Sequence, residues 1–96
     1  MFESINIHVT EKIAIEGLLS RLVEFGYTRC KRVVEVGDFS ILGENIVIYP
    51  VTFEYPVRIE LSGSLVERIR SVDPASYETI SEHISVIVIP IKLPFS

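Results

Sequence analysis

The sequence predicts an α+β fold in which one amphipathic helix packs on a mainly antiparallel β-sheet. Residues 5–9 alternate apolar and polar side chains, which is the pattern of a half-buried strand. Apolar residues then recur at helical spacing over residues 15–23, which indicates a helix of about three turns. From residue 27 onward, β-branched runs alternate with glycine, proline and asparagine turn signals, as in a sheet of short strands.

The predicted helix has a favourable end and an unfavourable start. Gly26 follows the last apolar position, where a residue in the left-handed conformation commonly ends a helix. Ala14 stands at the start, where Ser, Thr or Asp would accept a backbone N–H. We therefore expect the helix to lie between these two residues.

Turn signals divide the rest of the chain into short strands. The segment at residues 65–72 also fits a helix, but its place directly after the Gly63-Ser64 turn favours the returning strand of a hairpin. Asp73 opens a further turn, because its carboxylate can bond its own backbone. Residues 90–96 are expected to form a tail. The strands predicted after the helix are residues 33–36, 39–42, 46–49, 57–61, 65–72, 77–80 and 84–89.

Length and composition limit the chain to one domain. Its 96 residues fit a single domain spanning 1–96, and 48% hydrophobic residues is an ordinary fraction for a globular chain. The 13 acidic residues against 9 basic ones give a formal charge of −4. Because DNA-binding domains are usually basic, this balance argues against binding to nucleic acid through net charge.

The cysteine count and the hydropathy pattern indicate a reduced compartment and no membrane segment. Cys30 is the only cysteine, so the chain can form no internal disulfide. No stretch approaches the ~20 apolar residues that span a bilayer. Residues 1–4 do not begin a signal peptide. We therefore expect a cytoplasmic protein.

No motif indicates catalysis, a metal or a cofactor. His8 and His83 lie in no recognisable motif, and even with Cys30 they cannot supply a zinc site of the Cys₂His₂ type. The glycines form no phosphate-binding loop. Arg29 and Lys31 beside Cys30 can lower a thiol pKa, although an incidental thiol is the simpler interpretation. The sequence therefore predicts a non-enzyme without cofactor or metal.

An ordered set of short motifs between residues 18 and 74 carries more information. It begins with a helix that ends in G-Y-x-R, continues with E-x-G-x-F, and follows with a strand that ends in Y-P. The motifs P-x-R-I-E and I-R-x-x-D-P close the set. It resembles the UvrA-interacting domain shared by the excision-repair helicase UvrB and the transcription-repair coupling factor. The matching residues are Leu22, Gly26, Tyr27, Arg29, Glu35, Gly37, Phe39, Gly43, Tyr49, Pro50, Pro56, Arg58, Ile59, Glu60, Gly63, Val66, Ile69, Arg70, Asp73 and Pro74.

The resemblance implies a docking module that contacts UvrA, the damage-sensing ATPase subunit. It implies that Arg29, Arg58 and Glu60 contact this partner, because these positions keep the family's charged residues. In the coupling factor, that contact recruits repair proteins to a stalled RNA polymerase. The family's ATPase motor lies in other domains, so residues 1–96 are expected to be one domain of a larger repair helicase or translocase. The N-terminal flank favours the coupling factor over UvrB.

Other contact positions of the family are replaced in this chain. Leu42 and Ser40 stand where the family, or UvrB alone in the case of Ser40, has arginine, and Ser62 stands in place of an aromatic residue. Arginine and aromatic side chains are typical interface hot spots, each worth ~2 kcal/mol or more. The loss of two can weaken binding by a factor of about 10³.

Three alternatives to this docking hypothesis stay open. Arg58 and Glu60 also fit a solvated sheet face with an ion pair worth less than ~1 kcal/mol. The same fold can serve as an intramolecular or self-association scaffold, with Leu42 and Ser62 in an apolar contact. Direct DNA binding would require an affinity that falls steeply with salt. The basic residues available for DNA are Arg29, Lys31, Arg32, Arg68 and Arg70.

Overall fold

The structure is a computed structural model that describes residues 3–91. This range contains one helix and eight strands, so the predicted α+β class is confirmed. No helix within it is long and apolar enough to cross a membrane. The elements are β1 (Ile5–His8), α1 (Ile15–Glu24), β2 (Thr28–Arg29), β3 (Asp38–Leu42), β4 (Asn45–Ile48), β5 (Val57–Ser62), β6 (Leu65–Val72), β7 (Thr79–His83) and β8 (Ser85–Val88).

The strands form two sheets that are almost entirely antiparallel. The larger sheet has the strand order β2-β3-β4-β5-β6-β7, in which only β2 and β3 run parallel. The smaller sheet pairs β1 with β8, from Ile5 opposite Val88 to His8 opposite Ser85. The predicted single layer of strands is therefore divided, because β1 and β8 pair with each other rather than with the larger sheet.

One face of the larger sheet carries the hydrophobic core. Val57, Ile59 and Leu61 alternate along β5 with more exposed residues and are themselves buried. Leu18 and Leu22 of α1 belong to the same cluster, as do apolar residues of β1 and β8. Burial of this apolar area supplies most of the free energy that stabilises the fold. We call this side of the sheet the core face and the opposite side, away from α1, the outer face.

The segment between β1 and α1 joins the two sheets. The N–H of Thr10 donates to the carbonyl of Val66 (2.8 Å), and the N–H of Val66 donates to the carbonyl of Glu11 (2.9 Å). A further bond runs from the N–H of Ile13 to the carbonyl of Ser64 (2.9 Å). These bonds cover the start of β6, next to the part of that strand that pairs with β7.

The helix ends and the hairpin follow the sequence signals. Gly26 has a φ of 94°, as a left-handed residue after a helix does, and Ala14 makes no side-chain cap hydrogen bond. The segment Leu65–Val72 is a strand, as its place after a hairpin turn predicts. The predicted tail at residues 90–96 lies almost wholly outside the described residues.

The strand predicted at residues 33–36 is wrong. The carboxylate of Asp38 accepts the N–H groups of Val34 (3.2 Å) and Glu35 (3.0 Å), which folds this segment into a turn. A side-chain acceptor thus replaces the neighbouring strand that these N–H groups would need in a sheet. The three β-branched residues that suggested a strand are distributed instead between the interior and the surface.

The strand predicted at residues 77–80 is displaced along the chain. β7 begins at Thr79 and continues to His83. Tyr77 cannot belong to it, because its φ of 63° lies outside the extended region. The turn after β6 is therefore longer than its Asp-Pro signal suggests.

Tyr27 joins the end of the helix to two distant segments. Its hydroxyl donates to the carbonyl of Ile89 (3.1 Å) and accepts the N–H of Val51 (3.3 Å). Burial raises the pKa of this phenol, and the Val51 N–H lowers it by a smaller amount. The folded state therefore holds the phenolic proton more tightly than the unfolded chain does.

We expect a part of the stability to be lost at alkaline pH because of Tyr27. The contribution is fully present below the ordinary tyrosine pKa of about 10. It is lost as pH rises through the higher folded-state pKa, because the unfolded chain gives up the proton first. Urea unfolding of the wild type and of Tyr27→Phe, measured from pH 8 to pH 11, should show a smaller alkaline loss in the variant. Identical pH profiles would contradict this assignment.

Candidate functional site

Strand register arranges the side chains of the outer face in rows across the sheet. Residues that face each other in register lie on the same face and within reach of one another. One row consists of Ser40, Val47, Arg58, Arg70 and Glu82, on β3 to β7 respectively. The adjacent row consists of Leu42, Asn45, Glu60 and Arg68.

Residues 31–37 cover one part of the outer face. Val47 and Val72 alternate with core-face residues, yet they are only 4% and 0% exposed, and neither belongs to the core cluster. Val33, inside the covering segment, is 0% exposed as well. The burial of these three valines outside the core cluster indicates a second, smaller apolar layer on the outer face.

The side chain of Tyr77, from the turn between β6 and β7, holds the covering segment in place. Its hydroxyl accepts the N–H of Val33 (2.7 Å) and donates to the carbonyl of Val33 (3.3 Å). The guanidinium of Arg32 lies 4.5 Å from the centre of the Tyr77 ring, a favourable cation–π distance. Arg32 also donates to the carbonyls of Pro74 (3.2 Å) and Ala75. We call Arg32, Val33 and Tyr77 the clamp.

Tyr77 has a φ of 63°, in the left-handed region of backbone conformations. Such a conformation costs a non-glycine residue roughly 1–2 kcal/mol and persists only when surrounding contacts enforce it. The N–H of Tyr77 donates to the carbonyl of Asp73 (2.7 Å), and Nη1 of Arg58 lies 3.5 Å from the carbonyl of Tyr77. Contacts on both sides of the peptide therefore maintain the strained turn.

An ion-pair network occupies the uncovered part of the outer face. Oε2 of Glu60 lies 3.3 Å from Nε of Arg58 and 3.5 Å from Nη1 of Arg70. Nε of Arg70 lies 3.2 Å from Oε1 of Glu82. The network has two cations and two anions, so its formal charge is balanced. Three of its side chains are 22–27% exposed, and Glu82 is 68% exposed.

Four of the five predicted docking residues share this face. Register places Leu42 in the row of Glu60 with one strand between them, and Ser62 follows Glu60 on the same side of β5. Leu42 is 63% exposed and Ser62 is exposed, so both are accessible beside Arg58 and Glu60. Ser40 also lies on the outer face, but it is 3% exposed.

Arg29 is separated from the other predicted docking residues. It lies on β2 in register with Phe39, a core residue, at the edge of the larger sheet. Two strands stand between β2 and β5, which separates Arg29 from Arg58 by roughly 14 Å. It lines an open depression of about 480 Å³ with Cys30, Lys31 and Leu42.

Cys30 and His83 have structural surroundings. Burial raises the pKa of the Cys30 thiol, and the charge of Asp38 raises it further, which does not support the alternative of a thiol activated by neighbouring cations. Nε2 of His83 lies 3.3 Å from the hydroxyls of Ser71 and Ser81, which are 2.7 Å apart. Within residues 3–91, no group of three potential metal ligands comes together.

Sequence reasoning missed the role of Arg70, Glu82 and the clamp. The sequence gives Arg32 and Arg70 no structural role beyond candidate DNA contacts and, for Arg70, a motif match, whereas each is bonded within the chain. The available signal was the alternation of Arg68 and Arg70 along β6, which places them on the face that carries Arg58. The clamp has no local signal, because Val33 and Tyr77 are 44 residues apart.

The chain belongs to the family described as the UvrB interaction domain, whose model matches residues 5–93. The resemblance drawn from the motifs is thereby confirmed, and the match includes all eight strands and the helix.

Similar curated proteins come from two kinds of bacterial protein. A transcription-repair-coupling factor of Bacillus subtilis (strain 168) is 44% identical over 86 residues, which cover 90% of this chain and 7% of the relative. The UvrABC system protein B of Tropheryma whipplei (strain TW08/27) is 36% identical over 84 residues, which cover 88% of this chain and 12% of the relative. A coupling factor of Myxococcus xanthus is 34% identical over 77 residues, with 80% and 6% covered. The chain thus spans 6% to 12% of these relatives.

We expect Tyr77→Phe to destabilise the fold by about 1–3 kcal/mol, because the part-buried N–H of Val33 loses its acceptor. Urea unfolding at neutral pH measures this change. Tyr55→Phe is the matched control, since the Tyr55 hydroxyl makes no hydrogen bond to any residue from 3 to 91, and it should change stability by less than about 0.5 kcal/mol. Equal effects of the two variants would contradict the role assigned to the clamp.

Proposed function

We propose that the chain is a protein-docking module that binds UvrA through the uncovered part of its outer face. The observation that carries the proposal is the family match over residues 5–93. The fold supports a binding role, because the outer face presents charged side chains fixed by neighbouring contacts.

The proposed docking surface centres on Arg58 and Glu60. Leu42 lies in the same row as Glu60, so an exposed apolar side chain and a fixed carboxylate stand side by side. Ser62 extends the surface toward the β5–β6 turn. Arg29 lies roughly 14 Å from Arg58 and in register with the core residue Phe39, so it would reach the same partner only around the edge of the sheet.

The replaced contact positions Ser40 and Leu42 differ in their exposure. Ser40 is 3% exposed, so its hydroxyl cannot extend toward a partner from this conformation. Leu42 is exposed, and it offers apolar area where the family pattern has a cation. We propose that the partner surface opposite Leu42 is correspondingly apolar, because an unpaired charge there would lose its water without compensation.

We further propose that the module works within a longer repair protein of the coupling-factor type. There the contact would link a stalled RNA polymerase to nucleotide excision repair. The small share of each relative that the chain covers, 6% to 12%, is consistent with one module among several. Catalytic work would then belong to other parts of such a protein.

A second candidate function is a scaffold for a neighbouring domain or a second copy. The smaller sheet and the bend before it favour it, because Ile87 of β8 is 49% exposed and Ile84, just before β8, is 82% exposed. These residues lie beside the core face of the larger sheet, whereas the docking surface lies on its outer face. The two functions therefore use different sides of the molecule.

We expect calorimetric titration of the chain into UvrA from the same organism to show binding at micromolar affinity or tighter. The charge-reversed variant Arg58→Glu/Glu60→Arg should weaken it at least tenfold, because fixed interface charges are then mismatched with the partner. The control variant Arg21→Glu/Glu24→Arg exchanges charges of the same kind at exposed positions on α1, on the opposite side of the sheet, so it should bind like the wild type.

Each other outcome of this titration excludes the surface or the partner. Equal affinities of the wild type and the Arg58/Glu60 variant would show that UvrA binds elsewhere. No binding by the folded wild type would contradict UvrA docking, and sedimentation over a concentration series would then test self-association. If the chain also bound DNA, with an affinity that fell steeply as the salt concentration rose, direct nucleic-acid binding would be supported instead.

A further inference from the structure

The two carboxylate oxygens of Glu60 have different surroundings. Oε2 receives both Nε of Arg58 (3.3 Å) and Nη1 of Arg70 (3.5 Å). Among residues 3–91, no group forms a hydrogen bond with Oε1. The side chain is 27% exposed, so one oxygen is held inside the network and the other is free for a partner.

Arg58 is occupied by contacts within the chain. Its Nε donates to Glu60, Nη1 lies 3.5 Å from the carbonyl of Tyr77, and Nη2 lies 3.3 Å from the hydroxyl of Thr79. All three nitrogens of this guanidinium thus point to internal acceptors. Arg58 supports the surface more than it projects from it.

Arg70 is occupied in a similar way from the neighbouring strand. It bridges Glu60 and Glu82, with distances of 3.5 Å and 3.2 Å to their carboxylate oxygens. Its side chain is 22% exposed, whereas that of Glu82 is 68% exposed. Of the four side chains in the network, only that of Glu82 is mostly exposed, and Glu60 is partly exposed between the two guanidiniums.

We infer that Arg70 is a positioning residue of the docking surface, which holds Oε2 of Glu60 so that Oε1 is presented to a guanidinium or ammonium group of the partner. The inference rests on the proposed function. A carboxylate fixed in advance loses less conformational freedom on binding than a mobile one does. When the interface excludes water, the two guanidiniums remain next to Glu60 and compensate the negative charge of its carboxylate.

A double-mutant cycle on Arg70 and Glu60 tests this role. The variants Arg70→Ala, Glu60→Gln and the double variant are titrated into UvrA. Arg70→Ala should weaken binding about tenfold in the wild-type background, the size of coupling expected for groups in one network. In the Glu60→Gln background it should weaken binding less than about twofold, because the carboxylate that it positions is absent.

Arg21→Ala is the control, since Arg21 carries the same charge at an exposed position on α1, on the opposite side of the sheet from Glu60. Any effect of Arg21→Ala on affinity should be the same in both backgrounds. Arg70→Gln, which keeps most of the side-chain length, replaces Arg70→Ala if the latter lowers the unfolding midpoint. A purely structural role of Arg70 would move the midpoint but would leave its effect on affinity independent of Glu60.

The outcomes separate this inference from the proposed function. Equal effects of Arg70→Ala in both backgrounds, or binding that is insensitive to Glu60→Gln, would overturn the positioning role while UvrA docking stands. A wild type that does not bind UvrA would overturn both. A tenfold effect that vanishes without the Glu60 carboxylate supports the role.

Discussion

The outer face of this domain depends on the contact between Tyr77 and Val33. A six-stranded sheet in one small domain has two faces to protect from water, and α1 with the smaller sheet covers only one of them. The clamp covers part of the second face with residues 31–37 and buries Val47 beneath them. The strained φ of 63° at Tyr77 indicates that the surrounding contacts, rather than local preference, fix this turn.

The charged surface beside the clamp follows from the same contacts. Arg58 reaches the carbonyl of Tyr77, so the orientation of its guanidinium depends on the strained turn. Glu60 then lies between Arg58 and Arg70, and its carboxylate pairs with both of these cations within the chain, without a partner. The order of dependence therefore runs from the Tyr77–Val33 hydrogen bonds, through the backbone of the turn, to the carboxylate of Glu60.

The sequence predicted those parts of the fold that local signals control. The period-2 alternation of Val57, Ile59 and Leu61 predicted a strand with one buried face, and Gly26 predicted the helix end, because both signals act within a few residues. Residues 33–36 were mispredicted, since a single carboxylate, that of Asp38, outweighed the strand preference of valine. The shared face of Arg58, Glu60 and Leu42 follows from alternation and hairpin register. The network and the clamp do not, because they join residues brought together by tertiary contacts.

We propose that the partner binds the part of the outer face that the clamp leaves uncovered. Loss of NMR amide intensity on addition of a substoichiometric amount of unlabelled UvrA to the ¹⁵N-labelled chain tests this claim most directly. We expect the largest losses at Leu42, Asn45, Glu60 and Ser62, which lie together on the outer face. Losses concentrated at Val23 and its neighbours on α1, on the opposite side of the sheet, would contradict it.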